Sequence, residues 1–344
     1  MEYIMRIIIS RTDKIGDLIL SIPSFFMAKK MYPDAEIILL VRKYNYEIVK
    51  NLPFVDRVYK IDDFRQEELL EKIKYFNADV FVALYNDSYI AKLAKASGAK
   101  RRIGPISKLS SFFAFNRGVY QKRSKSIKNE ADYNLDLIRK IDPKRFDEVF
   151  EIESKIYLEK QQRDVAERFF KENNIGEKTL VVNPFMGGSA KNITDDQYIS
   201  LLQKIYDRVE GIDIIITCHI SEEERGQNII NNIGRERVYL FANGGSLLNL
   251  AGIIEKGKVY FGGSTGPTHI AGSLQKNIVA IYPNKKTQSP TRWGVYNNKN
   301  VEYIVPDREN RKVKENYSHK YFDSYDETIE EEILNKLEEK FLKK

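Results

Sequence analysis

One cysteine, Cys218, and three histidines are the only thiol and imidazole groups in the 344 residues. An intrachain disulfide is therefore excluded, and a structural zinc site, which takes four such ligands, is disfavoured. No apolar run approaches the roughly 20 residues needed to cross a bilayer. The N-terminus lacks the positive start, long apolar stretch and small-residue cleavage site of a secretory signal. A cytoplasmic protein is expected, or one peripheral at the inner face of the cytoplasmic membrane.

What is present argues for a packed globular chain. Hydrophobic residues make up 42% and charged residues 31%, which is enough apolar material for a core. The length exceeds one ordinary domain and suits two. A net charge of +7 favours anionic partners: phosphates, acidic glycolipids, an anionic membrane or nucleic acid. A generally lysine-rich composition gives the same average, so the distribution of charge has to decide.

Short apolar bursts alternate with helical periodicity, the pattern of βαβ units and a parallel sheet. Strands are expected at 6–10, 36–41, 57–61 and 79–84, with helices at 17–31, 67–76 and 88–97 between and after them. Helices at 133–141, ending at Pro143, and 158–174 follow. The rhythm then restarts, with strands at 179–183, 213–217, 238–241, 258–261 and 278–282. Helices are expected at 195–209, 246–255, 267–274 and 221–233, the last opened by a Ser221–Glu224 capping box. The fold class is α/β. Two Rossmann-like domains are expected, 1–174 and 178–325, facing across a cleft, with a terminal helix at 326–344 that packs back on the first. One long doubly wound domain is the weaker alternative.

Ligands bind beyond the carboxyl ends of strands in such sheets, so the turns there carry the chemistry. After the first strand comes Arg11-Thr12-Asp13-Lys14-Ile15-Gly16-Asp17. Asp17 falls at a helix start, where the dipole favours a carboxylate and where a general base would face the cleft. An N-cap is the competing role for such an aspartate. GxGxxG is missing, which argues against a dinucleotide there and for an acceptor-side role of this turn, including Asp13 and Gly16. In the second half, Gly187-Gly188-Ser189-Ala190-Lys191 and Gly262-Gly263-Ser264-Thr265-Gly266-Pro267-Thr268-His269 each follow a strand and open a helix. Their backbone N–H groups, with the Lys191 charge, suit a shared diphosphate, though either alone is an ordinary Gly-rich turn. His269 reads as a ligand or as a packed imidazole. Glu222 reads as a ribose partner or as a solvated first-turn acid.

The segment 98–128 holds Lys100, Arg101, Arg102, Lys108, Arg117, Lys122, Arg123, Lys125 and Lys128, no acidic residue, and interleaved aromatics. It suits an anionic glycolipid or membrane surface, and the same composition also describes nucleic-acid binders.

Together the turn at 11–17 with Ile22-Pro23, the stretch 262–272, and Pro283, Pro290 and Trp293-Gly294 resemble glycosyltransferase family 9 over nearly the whole chain. The resemblance implies a GT-B fold and a metal-independent, inverting transfer. The donor would be a nucleotide sugar, typically ADP-heptose as co-substrate, and the acceptor a lipopolysaccharide core. Asp17 matches the family's catalytic base and Lys191 the lysine on the donor phosphates. Thr265, Gly266 and His269 match the donor motif, and Glu222 the acid near the ribose. Ser264 stands where the family usually has Asp, Ile193 near a usual Trp, and His219 near a usual Gly. On this likeness the basic segment is assigned to the acceptor, with peripheral contact at the membrane, and no nucleic acid is expected. The rival functions are a sugar-nucleotide epimerase and a catalytically silent glycolipid-binding protein.

Overall fold

A computed structural model describes residues 3–106, 113–187, 190–308 and 313–342. The chain divides into two compact units, Met1–Tyr157 and Leu158–Lys344.

The first unit is built on a five-stranded parallel sheet in the order β3-β2-β1-β4-β5. Its strands are β1 (Arg6–Ser10), β2 (Glu36–Val41), β3 (Arg57–Lys60), β4 (Val80–Ala83) and β5 (Arg101–Ile103). The central strands are apolar throughout because both faces are covered. Ile8 pairs with Ile38 on one side and Phe81 on the other, and all three are buried. Where one helix was expected at 17–31, there are two, Ile15–Ile19 and Ile22–Met31. Pro23 sits in the first turn of the second, and the Ser21 hydroxyl bonds the Asp17 carbonyl at 2.8 Å, so the chain restarts there. Pro143 likewise opens a helix, Pro143–Glu148, capped by Asp142 on the Arg145 amide.

The second unit carries a six-stranded parallel sheet in the order β11-β10-β9-β6-β7-β8. The strands are β6 (Thr179–Asn183), β7 (Asp213–His219), β8 (Val238–Asn243), β9 (Val259–Gly263), β10 (Asn277–Ile281) and β11 (Val301–Ile304). Cys218 lies buried on β7, and burial pushes its thiol up to about 11. The helix Lys160–Glu172, expected in the first domain, belongs here. It lies so close to the helix Leu247–Lys256 that a side chain on Gly252 would meet the Gln162 carbonyl at 2.5 Å. Phe169 also meets Phe241 edge-on, 5.2 Å between ring centres.

In the terminal helix Glu327–Leu342, Ile333, Leu334, Leu337 and Phe341 are part of the second unit's own core. The capping box expected at Ser221 does not form. The His219 ring accepts the Ser221 amide at 3.2 Å, a tight turn covers Ile220–Glu222, and the helix begins at Glu223. A capping box does form between Thr194 and Gln197, opening the helix Asp195–Arg208.

Both sheets follow one plan: the strand order reverses beside β1 and β4 in the first and beside β6 and β9 in the second. Crevices beyond the carboxyl ends at such points are where open parallel sheets receive ligands.

Candidate active-site residues

The turn leaving β1 is organised by Arg11, which is 1% exposed. Its Nε donates to Asp13 Oδ1 and its Nη2 to Asp17 Oδ1, both at 2.7 Å. Nη1 donates to Asn134 Oδ1 at 3.0 Å and reaches Glu130 Oε1 at 3.4 Å and the Leu84 carbonyl at 3.3 Å. Glu130 and Asn134 sit one turn apart on the helix Glu130–Arg139, and Arg123 also pairs with Glu130. Tyr44 and Asn45 donate to the Asp13 carbonyl at 2.5 and 2.7 Å. Asp17 therefore does not cap its helix: the capping position is Lys14, with no side-chain bond, and the Asp17 carboxylate is held by Arg11.

The electrostatics follow from burial. Removal from water pushes the Asp13 carboxyl up to about 7; Arg11 pulls against this and the Asp17 charge adds to it. Burial disfavours the Arg11 charge, yet Asp13, Asp17 and Glu130 together hold it more firmly protonated than usual.

In the second unit, Lys191 lies in the loop after β6 and its side chain is 3% exposed. It is engaged on all sides: Glu315 Oε2 at 2.8 Å, Asp323 Oδ2 at 3.5 Å and the Tyr321 carbonyl. Asn192 anchors the loop, donating to the Pro184 carbonyl at 2.8 Å and accepting from the buried Tyr198 hydroxyl at 3.0 Å. Burial raises the Glu315 carboxyl, but Lys191 and the Ser324 and Asp323 donors outweigh it and hold it below the usual range. Gly188 and Ser189 lie outside the described residues.

The loop after β9 opens the helix Gly266–Ser273, with Pro267 in its first turn. Thr265 takes the capping position without a side-chain cap, which leaves the helix start available to an anion. Thr268 Oγ1 instead donates to the Gly263 carbonyl at 2.5 Å. Ser264 is half-buried directly after β9, and the buried Tyr282 phenol at β10's end donates to the Trp293 carbonyl at 3.0 Å. His269 is buried in the helix, with its amide on the Thr265 carbonyl at 3.3 Å. Glu222 stands at the surface, 3.7 Å from Arg225. Arg225 itself grips Asp195 through two bonds of 2.8 and 2.6 Å and stacks on Phe185.

The basic segment divides into two groups. Arg102 is spent on the Ala114 and Ala99 carbonyls at 3.0 and 2.9 Å, Arg123 on Glu130 and Lys128 on Asp136. Arg101 lies within β5. Lys100, Arg117, Lys122 and Lys125 are exposed and make no ion pair among the described residues, and Phe113 and Tyr120 are exposed beside them. Lys108 lies outside the described residues.

Sequence reasoning missed Glu130, Asn134, Glu315 and Asp323. A signal existed for the first two: polar residues at i and i+4 inside the apolar stripe of Tyr133, Leu137 and Ile138. None existed for the other two, which lie in irregular chain.

Comparison with known proteins places the chain in a family. A family model described as glycosyltransferase family 9 (heptosyltransferase) matches residues 67–321, a range that begins after the Asp17 turn. A candidate glycosyltransferase of Haemophilus influenzae is 28% identical over 311 residues, covering 88% of this chain and 89% of that protein. The crystal structure of a family 9 glycosyltransferase from Veillonella parvula superposes with a TM-score of 0.82 at 16% identity, over 99% of this chain and 98% of that one. The ADP-heptose lipopolysaccharide heptosyltransferase II of E. coli gives 0.77 at 14% identity, over 98% and 99%. The two parallel-sheet units thus have the GT-B architecture of those structures.

Proposed function

The chain belongs to glycosyltransferase family 9, and from that premise we propose its reaction: heptose moves from ADP-heptose to a lipopolysaccharide core, or a related anionic glycolipid. The transfer is one inverting displacement that requires no metal and no cofactor beyond the nucleotide-sugar co-substrate. The donor follows the name of the E. coli relative. The observation that carries the reading is the uncapped helix start at Gly266, placed where the strand order reverses beside β6 and β9.

In this reading the donor diphosphate lies against the N–H groups at 264–266, with Thr265 and His269 beside it and Lys191 as countercharge. Gly188 and Ser189 are assigned to the donor as well, and Glu222 takes the ribose. These groups stabilise the charge that grows on the leaving nucleoside diphosphate. The acceptor lies on the first unit, against Asp13, Gly16 and the exposed cations Lys100, Arg117 and Lys122, with Arg101, Arg102 and Arg123 shaping that surface. Asp17 removes the proton from the acceptor hydroxyl as it attacks the anomeric carbon.

The test is Asp17→Asn, assayed with ADP-heptose and a glycolipid acceptor in the presence of a chelator. Transfer is expected to fall by a factor of roughly 100 to 10,000, while ADP still raises the melting temperature as in the wild type. Undiminished transfer by this variant rules out Asp17 as the base. Release of free or isomerised sugar without any acceptor favours an epimerase-like activity instead.

A further inference from the structure

Ser21 holds the capping position of the helix Ile22–Met31, yet its side chain caps nothing there. A serine at that place ordinarily accepts an amide from the first helical turn. Here the hydroxyl turns back and donates to the Asp17 carbonyl at 2.8 Å. Asn134, on the helix Glu130–Arg139, supplies the donor that keeps it so oriented. Its Nδ2 reaches Ser21 Oγ at 3.1 Å and the Leu20 carbonyl at 3.4 Å. The other end of the same amide, Oδ1, accepts Arg11 Nη1 at 3.0 Å, closer than that nitrogen comes to the Leu84 carbonyl or to Glu130. Arg123 Nη2 stands further from Oδ1, at 3.5 Å. Arg11 Nη2 in turn holds the Asp17 carboxylate at 2.7 Å. Four hydrogen bonds therefore close a ring that leaves Asp17 by its side chain and returns to it by its backbone. Arg11, Ser21 and Asn134 are at most 1% exposed, while the Asp17 side chain keeps 14%. The frame is shut from water, where a lost partner is not replaced, and the carboxylate it carries still meets solvent.

We propose that Asn134 and Ser21 are positioning residues for Asp17: the buried amide ties the guanidinium that holds its carboxylate to the hydroxyl that holds its carbonyl. This rests on the transferase reading for the activity measurements alone. Asp17 sits on a helix of five residues, Ile15–Ile19, whose capping position Lys14 makes no side-chain bond. So short a helix has little rigidity of its own. Its hold comes from outside, through the ring that fastens it to the helix Glu130–Arg139. A base must meet its proton within hydrogen-bond reach, and a displacement of about 1 Å can cost a factor of about 100. Neither Asn134 nor Ser21 bonds the carboxylate itself: one acts through Arg11, the other through the Asp17 backbone. Their effect is therefore on turnover and not on the donor, which the proposed reaction assigns to the second unit.

The first measurement needs no activity: urea unfolding of Asn134→Ala, Ser21→Ala and the double variant. Groups in one hydrogen-bonded circuit are not independent, so the double variant should lose clearly less of the midpoint than the two single losses together. Additive midpoints overturn the ring, whatever the protein's activity. The second measurement is kcat, taken with Asp17 in place and in the Asp17→Asn background. With Asp17 in place each variant should lower kcat by at least about tenfold and leave donor KM unchanged. In the Asp17→Asn background neither should lower the residual rate further, because the group they position is gone. A purely structural role would lower both backgrounds by the same factor. That result, or an unaltered kcat in either single variant, overturns the positioning. Ser21→Ala removes a hydroxyl and no helix cap, and carries the kinetic measurement by itself should Asn134→Ala impair folding. Non-additive midpoints with no transfer by the wild type to any acceptor uphold the ring and remove the transferase reading instead.

Discussion

Lys191 meets Glu315 at 2.8 Å and Asp323 at 3.5 Å, and the two carboxylates differ in accessibility: 2% exposed against 36%. A donor phosphate entering from solvent competes with the exposed, more distant one. Asp323→Ala should therefore tighten ADP binding about threefold to tenfold by isothermal titration calorimetry, roughly 1 kcal/mol for removing one charge-assisted competitor. Weaker ADP binding in that variant would assign Asp323 to donor binding itself. The lysine was legible from its position after a Gly-rich turn. Its partners were not, because Asp323 lies 132 residues further along and no periodicity marks its segment. The same holds at Asp17, whose place at a helix start could be read, whereas its clamp by Arg11 depends on Glu130 and Asn134 arriving from 119 and 123 residues away.

The helix Lys160–Glu172 shows what element-level reading delivers. Its apolar repeat and its Asn173 end were readable, but amphipathicity states only that one face is covered, not by which sheet. What ties it to the second unit is the close approach at Gly252, together with the ion pairs Arg163–Glu255 and Lys256–Glu167. Gly252→Val should force the two helices apart and cost about 1–3 kcal/mol, seen as a lower urea midpoint. An unchanged midpoint would mean that the approach is not under steric constraint. Two strands escaped the sequence reading for a simple reason. β5 is Arg-Arg-Ile with one buried residue, and β11 is Val-Glu-Tyr-Ile with one, so neither presents an apolar burst. The central strands β1, β4, β6 and β9 sit between neighbours and announce themselves as continuous hydrophobic runs.

For the molecule as a whole, no helix among the described residues is long and apolar enough to cross a membrane. Lys100, Arg117, Lys122 and Lys125 are exposed and make no ion pair among the described residues, and Phe113 and Tyr120 are exposed in the same segment. The protein should sediment with vesicles containing anionic lipid, fail to do so with neutral ones, and release at high salt. Reversing two of these charges, Arg117→Glu with Lys122→Glu, should lower vesicle affinity by at least about tenfold, at roughly 1 kcal/mol per basic residue lost. Equal binding to neutral vesicles would refute the electrostatic docking. Charge distribution was the feature most readable from sequence here, yet only the structure separates the cations already paired from those left over.

Cys218 gives the chain a built-in probe. The thiol is the only one in the sequence and is buried in β7, so a thiol-modifying reagent reaches it only when that part of the second sheet opens. The rate of modification in native buffer therefore clocks the opening of one half of the protein, silent to events in the other, without any label having to be engineered.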